Sequence, residues 1–195
     1  MQPLVFATAN ANKVAEVKHK LGEAYDFRSL ADIGCTEDIP ETSATLEGNA
    51  LQKARYVVEH YGVDCFSEDT GLEIDALEGR PGVRTARYAG PSRDAVANMQ
   101  RVLDELGDAP DRSAQFRAVI ALSQNGVEHT FEGVVRGRIA RAMRGAGGFG
   151  YDPIFIPDGY EETFAELSPE VKKTMSHRSR AVAKLVAHLR ADRRA

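Results

Sequence analysis

The feature that most constrains this chain is the order in which its hydrophobic period changes. Residues 4–7 form a short apolar run suited to a buried strand. A polar turn follows, where Asn10 or Asn12 can cap a helix over residues 13–21. Residues 42–45 give a polar entry to a second helix, in which Leu46, Ala50, Ala54, Val57 and Val58 keep helical spacing. Residues 63–67 read as another buried strand, closed by Glu68 and Asp69 and followed by a turn at Gly71. Pro81-Gly82 marks a turn, and residues 91–106 place Val96, Met99, Val102, Leu103 and Leu106 on one side of a helix. Two long strands, 114–122 and 127–143, flank Gln124-Asn125-Gly126, a strong hairpin signal. After a glycine-rich stretch at 145–150, expected as a flexible loop, Ser168 caps a short helix to residue 175 with Pro169 in its first turn. A last helix over 178–190 turns Val182, Leu185, Val186 and Leu189 inward. Alternation early and a hairpin late predict an α/β fold with a mixed sheet, not a simple doubly wound parallel one.

Composition sets the class. The 195 residues are enough for one core, or for one domain with two lobes. A net charge of −4 offers no broad positive field, and the arginines of the tail, Arg190 to Arg194, are few, so no nucleic-acid partner is expected. Cys35 and Cys65 match neither a paired metal spacing nor a disulfide framework and read as free thiols of a reducing cytoplasm. The chain does not open like a signal peptide, and no apolar run approaches the ~20 residues of a membrane helix.

Four groups of residues carry chemistry. Around Thr8, Asn10 and Lys13 a strand turns into a helix start, where backbone N–H groups and a lysine suit an anion. The spacing is not that of a Walker A loop, and an ordinary helix cap is the competing reading. Carboxylates recur at Glu37, Asp38, Glu41, Glu68, Asp69, Glu73 and Asp75. Mg²⁺ takes hard oxygen ligands, often one or two carboxylates plus substrate phosphates, though such a run is also what a solvated loop contains. In the stretch from Gly147 to Pro153, glycines permit close approach, Phe149 and Tyr151 offer faces to a flat base, and Asp152 can accept from a ring N–H. A turn whose aromatics fill the core is the alternative there. Lys172, Lys173, His177 and Arg178 gather cations and donors at a break between two helices, and arginine presents a planar donor fork.

In this order, the segments ATANANKVAEV, ETSATLEGNALQKAR, SEDTGLEIDALEGRPGVRTARYAG, GGFGYDPIFIP and KKTMSHRSRA resemble the inosine triphosphate pyrophosphatase family, also called XTP/dITP diphosphatases. The match runs over nearly the whole chain. The resemblance implies one domain over residues 1–195, two-lobed, with a long mixed β-sheet flanked by helices and an active-site cleft between the lobes. It implies Mg²⁺ dependence, a homodimer, and preference for ITP, dITP and XTP over ATP and GTP. Thr8, Asn10 and Lys13 match the family's first phosphate-binding turn. Glu41 and Asp69 match its metal carboxylates, with Asp69 also the proton acceptor and Glu68 beside it as a third metal-binding candidate. Lys53 matches a triphosphate-facing lysine and Thr70 a substrate-contacting hydroxyl. Phe149, Gly150, Tyr151 and Asp152 match the base-binding loop, and Lys172, His177 and Arg178 the remaining substrate contacts. Many members have Gly at position 9, Asp at 68 and Ser at 70, where this chain has Ala9, Glu68 and Thr70.

The expected reaction is attack of water on the α-phosphorus with pyrophosphate leaving, the triphosphate charge being met by Mg²⁺ on the carboxylates and by Lys13, Lys53 and Lys172. Donors from Arg178 or His177 would suit the C6 carbonyl of hypoxanthine and xanthine and mispair with the amino group of adenine. Two other readings compete: a Maf-like pyrophosphatase acting on modified pyrimidine or dTTP/UTP substrates, and a nucleotide sensor without turnover. Arg136, Arg138, Arg141 and Arg144 alternate toward the glycine stretch with no role assigned by sequence.

Overall fold

In a computed structural model of the chain, residues 3–10, 13–15, 17–18 and 26–192 are described. The strands are β1 (Pro3–Ala7), β2 (Asp26–Ser29), β3 (Cys65–Ile74), β4 (Ser113–Gln124), β5 (Val127–Ile139) and β6 (Phe155–Pro157). The principal helices are α1 (Leu46–Tyr61), α2 (Ala95–Leu106), α3 (Pro169–Met175) and α4 (His177–Asp192). The sheet has six strands in the order β2-β1-β3-β4-β5-β6. β1 is parallel to both β2 and β3, whereas β5 and β6 are antiparallel, so the sheet is mixed as expected. Asn125 and Gly126 join β4 to β5 with positive φ at both residues, the backbone that a two-residue hairpin turn requires.

The chain divides into two compact units. One comprises Met1–Asp69, Ala118–Gly133 and Arg178–Ala195, the other Thr70–Arg117 and Val134–His177. In the first unit β1 is buried on both faces, and its side chains alternate between two cores. Leu4 and Phe6 join Phe66, Ile120, Leu122 and the inward side of α4, including Val182, Leu185 and Leu189. Val5 and Ala7 join Cys65 and the apolar stripe of α1, namely Leu46, Ala50, Ala54 and Val57. Phe6 and Phe66 stack with ring centroids 4.5 Å apart. α1 starts where Thr45 accepts the Gly48 N–H at 3.0 Å and ends at Gly62 in the left-handed region. The second unit packs Leu72, Ile74, Met99, Val102, Phe116, Ile154, Phe155 and Phe164 into its own core. Asp94 caps α2 and Ser168 caps α3, each accepting from the N–H three residues on.

Several boundaries differ from the sequence reading. β3 does not stop at its acidic residues but continues through Glu68, Asp69, Thr70 and Gly71 to Ile74. The apolar run ends because the side chains change environment, while the extended backbone does not. β5 ends at Ile139, four residues short of the expected limit at 143. β2 lacked the apolar run that flags a strand, and β6, though apolar, is only three residues long. Residues 13–15 and 17–18 are helical, but the remainder of the expected helix over 13–21, and the capping candidate Asn12, lie outside the described residues. So do the last arginines of the tail.

Candidate active site

Alternation along β3 decides which way each acidic residue faces. Cys65 packs toward α1, and Ser67 donates to the Ala50 carbonyl of α1. Phe66, between them, packs toward α4. Asp69 keeps the parity of Cys65 and Ser67. Asn49 Nδ2 donates to its Oδ2 at 3.2 Å, and Lys53 Nζ stands 3.8 Å from its Oδ1, both partners on α1. Glu68 keeps the parity of Phe66. It is fully buried, both its carboxylate oxygens accept from Arg178 Nε at 3.0 and 2.8 Å, and Lys13 Nζ lies 3.5 Å from Oε1.

Glu41, on the segment leading to α1, pairs with the Lys53 ammonium. Lys53 also donates to the Glu68 carbonyl at 2.9 Å. Glu41 and Asp69 therefore converge on one nitrogen although they come from separate elements. Burial pushes the Asp69 carboxyl above the usual carboxylate range and Glu41 adds to this, while Lys53, Lys13 and the Asn49 hydrogen bond act against it. Burial likewise pulls Lys13 below an ordinary lysine, opposed by Glu68. Among the described residues, no group of three or more His, Cys, Asp or Glu side chains could hold a metal by itself. Two hard carboxylates around a cation position suit Mg²⁺, which completes its shell with phosphate oxygens and water.

The first turn is organised by its own side chains. Thr8 Oγ1 accepts the Asn10 N–H at 3.2 Å, and Asn10 Oδ1 accepts the Lys13 N–H at 3.3 Å, the contact of a helix-capping side chain. Thr70 follows Asp69 on β3 and opens the second unit, half-buried.

In the second unit the glycine stretch approaches its own chain. The Gly147 N–H donates to the Ala165 carbonyl at 3.0 Å, and a side chain on Gly145 would strike the same residue's backbone. Gly148 has φ +72°, and a side chain there would strike the Asp152 carboxylate. The room left by the missing Cβ atoms is filled by Ala165 and Asp152. Asp152, 4% exposed, accepts the Phe149 N–H at 2.7 Å and pairs with Lys172. The Lys172 ammonium also lies 4.8 Å from the centre of the Phe149 ring. Lys172, expected among the phosphate cations, is thus held within the loop read as base-binding. Tyr151 is buried in the core and donates to the Thr85 carbonyl at 2.7 Å, and burial pushes its phenol pKa up. Of the two aromatics, only Phe149 is half-exposed; Gly150 sits between them with φ +63°. His177 is buried and stacks on Phe116, centroids 4.8 Å apart.

The first unit therefore brings together Lys13, Glu41, Lys53, Glu68, Asp69 and Arg178, and the second Phe149, Asp152 and Lys172. Asn49 was missed by the sequence reading. Its signal was present: it falls in the buried stripe of α1 with Leu46, Ala50, Lys53, Ala54 and Val57, where a polar residue needs a partner. The unassigned arginines now have places. Arg138 pairs with Glu161 at 2.8 Å, Arg144 donates to the Glu161 carbonyl at 2.7 Å, and Arg141 lies 3.5 Å from Asp108 at the surface. Arg136 is exposed, and its carbonyl accepts the Asp158 N–H at 3.0 Å.

Residues 4–188 match the model of the Ham1 family. The chain is 50% identical over 190 residues to a dITP/XTP pyrophosphatase of Flavobacterium johnsoniae, covering 97% of this chain and 99% of that protein. It is 47% identical over 189 residues to the dITP/XTP pyrophosphatase of Bacillus subtilis, covering 95% and 96%. Among solved structures, the Ham1 protein of Staphylococcus aureus superposes with a TM-score of 0.92 at 36% identity, covering 98% of this chain and all of that one.

Proposed function

The chain belongs to the Ham1 family, and from that premise we propose a Mg²⁺-dependent nucleoside triphosphate pyrophosphatase. It hydrolyses the non-standard purine nucleoside triphosphates dITP, XTP and ITP, each with one water, to the nucleoside monophosphate and pyrophosphate. The observation that carries the metal-dependent part is the convergence of Glu41 and Asp69 on Lys53.

In this reading Glu41 and Asp69 would hold Mg²⁺, which when bound would supply positive charge to meet the phosphates and would raise the acidity of the attacking water. Asp69 accepts the proton of the attacking water. Asn49 fixes the orientation of one of its oxygens. Lys13 and Lys53 meet the charge on the phosphates, with Thr8, Asn10 and Thr70 as nearby donors. The second unit recognises the base. Phe149 offers a face, and Asp152, held by Lys172, accepts the N1–H that 6-oxopurines carry and adenine lacks. Gly150 and Tyr151 shape that loop, while His177 and Arg178 complete the substrate contacts. No helix among the described residues is long and apolar enough to cross a membrane. We place the enzyme in the cytoplasm as a homodimer, where its substrates are made.

Steady-state kinetics on ITP, XTP, GTP and ATP, with and without Mg²⁺, test the proposal. Release of pyrophosphate and IMP from ITP, dependent on Mg²⁺ and far faster than release from ATP, is expected. Orthophosphate as the product, or equal rates on ITP and ATP, would overturn it.

A further inference from the structure

We infer that Glu68 is a positioning residue: its carboxylate holds Arg178 and Lys13 on the face of β3 opposite Asp69, and it takes no share in binding the metal. Three observations carry this. The first is parity. Glu68 and Asp69 are adjacent in a continuous strand, so their side chains leave on opposite faces, and the neighbours confirm it. Asp69 meets Asn49 and Lys53 of α1, while Glu68 meets Arg178 at the start of α4 and Lys13 of the first helix. Glu41 lies with Lys53, on the Asp69 side.

The second is commitment. Glu68 is fully buried and both its oxygens accept from Arg178 Nε. Releasing an oxygen to a metal would weaken the compensation of an arginine that is itself 3% exposed. The third is reach. The side chain engages two cations, and the backbone carbonyl of the same residue accepts from Lys53, the third. One residue thereby touches all three basic groups of the first unit's cluster.

The kinetic part of this inference rests on the pyrophosphatase reading; the structural part does not. The test uses the full-length protein and the variants Glu68→Gln, Glu68→Asp, Arg178→Lys, Glu41→Gln and Asp69→Asn. Glu68→Gln is expected to lower kcat/KM for ITP by about 10²-fold, the scale for unpairing a buried charge. Glu68→Asp, which keeps the charge, is expected to recover most of that loss. Glu68→Gln should add little in an Arg178→Lys background, because both act through one contact. The Mg²⁺ concentration for half-maximal rate should stay within about twofold of wild type in Glu68→Gln, yet rise at least about tenfold in Glu41→Gln and Asp69→Asn, because the Glu68 carboxylate faces Arg178 and Lys13 and does not orient Glu41 or Asp69, whereas loss of a ligand or of its supporting contact weakens a metal site. Independently of turnover, the Arg178 Nε–H resonance, assigned by its disappearance in Arg178→Lys, should exchange slowly with water in the wild type and rapidly in Glu68→Gln. A Mg²⁺ requirement that rises in Glu68→Gln as it does in Glu41→Gln, multiplicative effects of the Glu68 and Arg178 changes, or an unaltered Arg178 resonance would each overturn the inference. Absence of turnover on every nucleotide would instead defeat the pyrophosphatase reading, with the resonance still deciding the placement of Arg178.

Discussion

The two units handle charge in opposite ways. The first gathers three cations, Lys13, Lys53 and Arg178, against three carboxylates, Glu41, Glu68 and Asp69, and buries half of them, namely Lys53, Arg178 and Glu68. At its glycine loop the second sets a pair, Lys172 with Asp152, among aromatic rings and glycine backbone. A balanced cluster of ionised groups is costly to desolvate and is held only by mutual contact, so it suits a ligand that brings several charges of its own. A pair beside a half-exposed ring suits a flat, uncharged ligand read by a few directed hydrogen bonds. The contrast accords with phosphate chemistry assigned to one unit and base recognition to the other.

The strongest way to break this comparison is Asp69→Asn. It should lower kcat on ITP by about 10³-fold, within the range for loss of a general base, with thermal stability little changed or raised because a buried charge is removed. Near-normal turnover would detach the carboxylate from the chemistry. Next is Asp152→Asn, expected to lower kcat/KM on ITP by about 10²-fold, the scale of discrimination by a buried hydrogen bond, while leaving the slow rate on ATP nearly unchanged. Equal losses on both nucleotides would mean that the second unit does not read the base. Arg178→Ala is expected to narrow the ITP-over-ATP ratio as well as to lower activity, and an unchanged ratio would confine Arg178 to the phosphate side. Gly148→Ala forces a side chain against the Asp152 carboxylate at φ +72°. Thermal denaturation should show a loss of about 1–3 kcal/mol, the cost of a strained, overpacked site.

The smallest effect concerns a carboxylate outside both clusters. Tyr61 and Tyr56 donate to Glu37 at 2.6 and 3.1 Å, and the Tyr61 hydrogen bond is the leading reason its pKa falls to about 2. A depressed carboxyl pKa adds stability that is present above the unfolded value and is lost as pH falls toward the folded one. Acid titration of wild type should therefore show a modest decline between pH ~4.5 and ~2 that Tyr61→Phe makes shallower. Activity near neutral pH should not change. A steeper decline in Tyr61→Phe would contradict the assignment.

What was legible in advance follows the same division. The base loop lies within one stretch of chain, so Phe149, Gly150 and Asp152 could be grouped by reading along it. The first cluster joins Glu68 to Arg178, 110 residues away, and Asp69 to Asn49, 20 residues away. Periodicity located these residues on strand and helix but could not say which cation each carboxylate meets. The resemblance grouped Glu68 with the metal ligands because it neighbours Asp69, and only the continuation of β3 through both positions shows that neighbours in sequence face apart. Tyr151 was grouped with the base faces for the same reason, its side chain lying in the core instead. The mixed sheet was legible from the hairpin signal. β6 was not, because three residues carry too little pattern to mark a strand.

The path of the chain has a consequence for inheritance. One unit is assembled from three separate stretches and the other from two, with exchanges at residues 69/70, 117/118, 133/134 and 177/178. No single cut in the gene frees either half. A single crossover therefore cannot carry either unit whole into another protein.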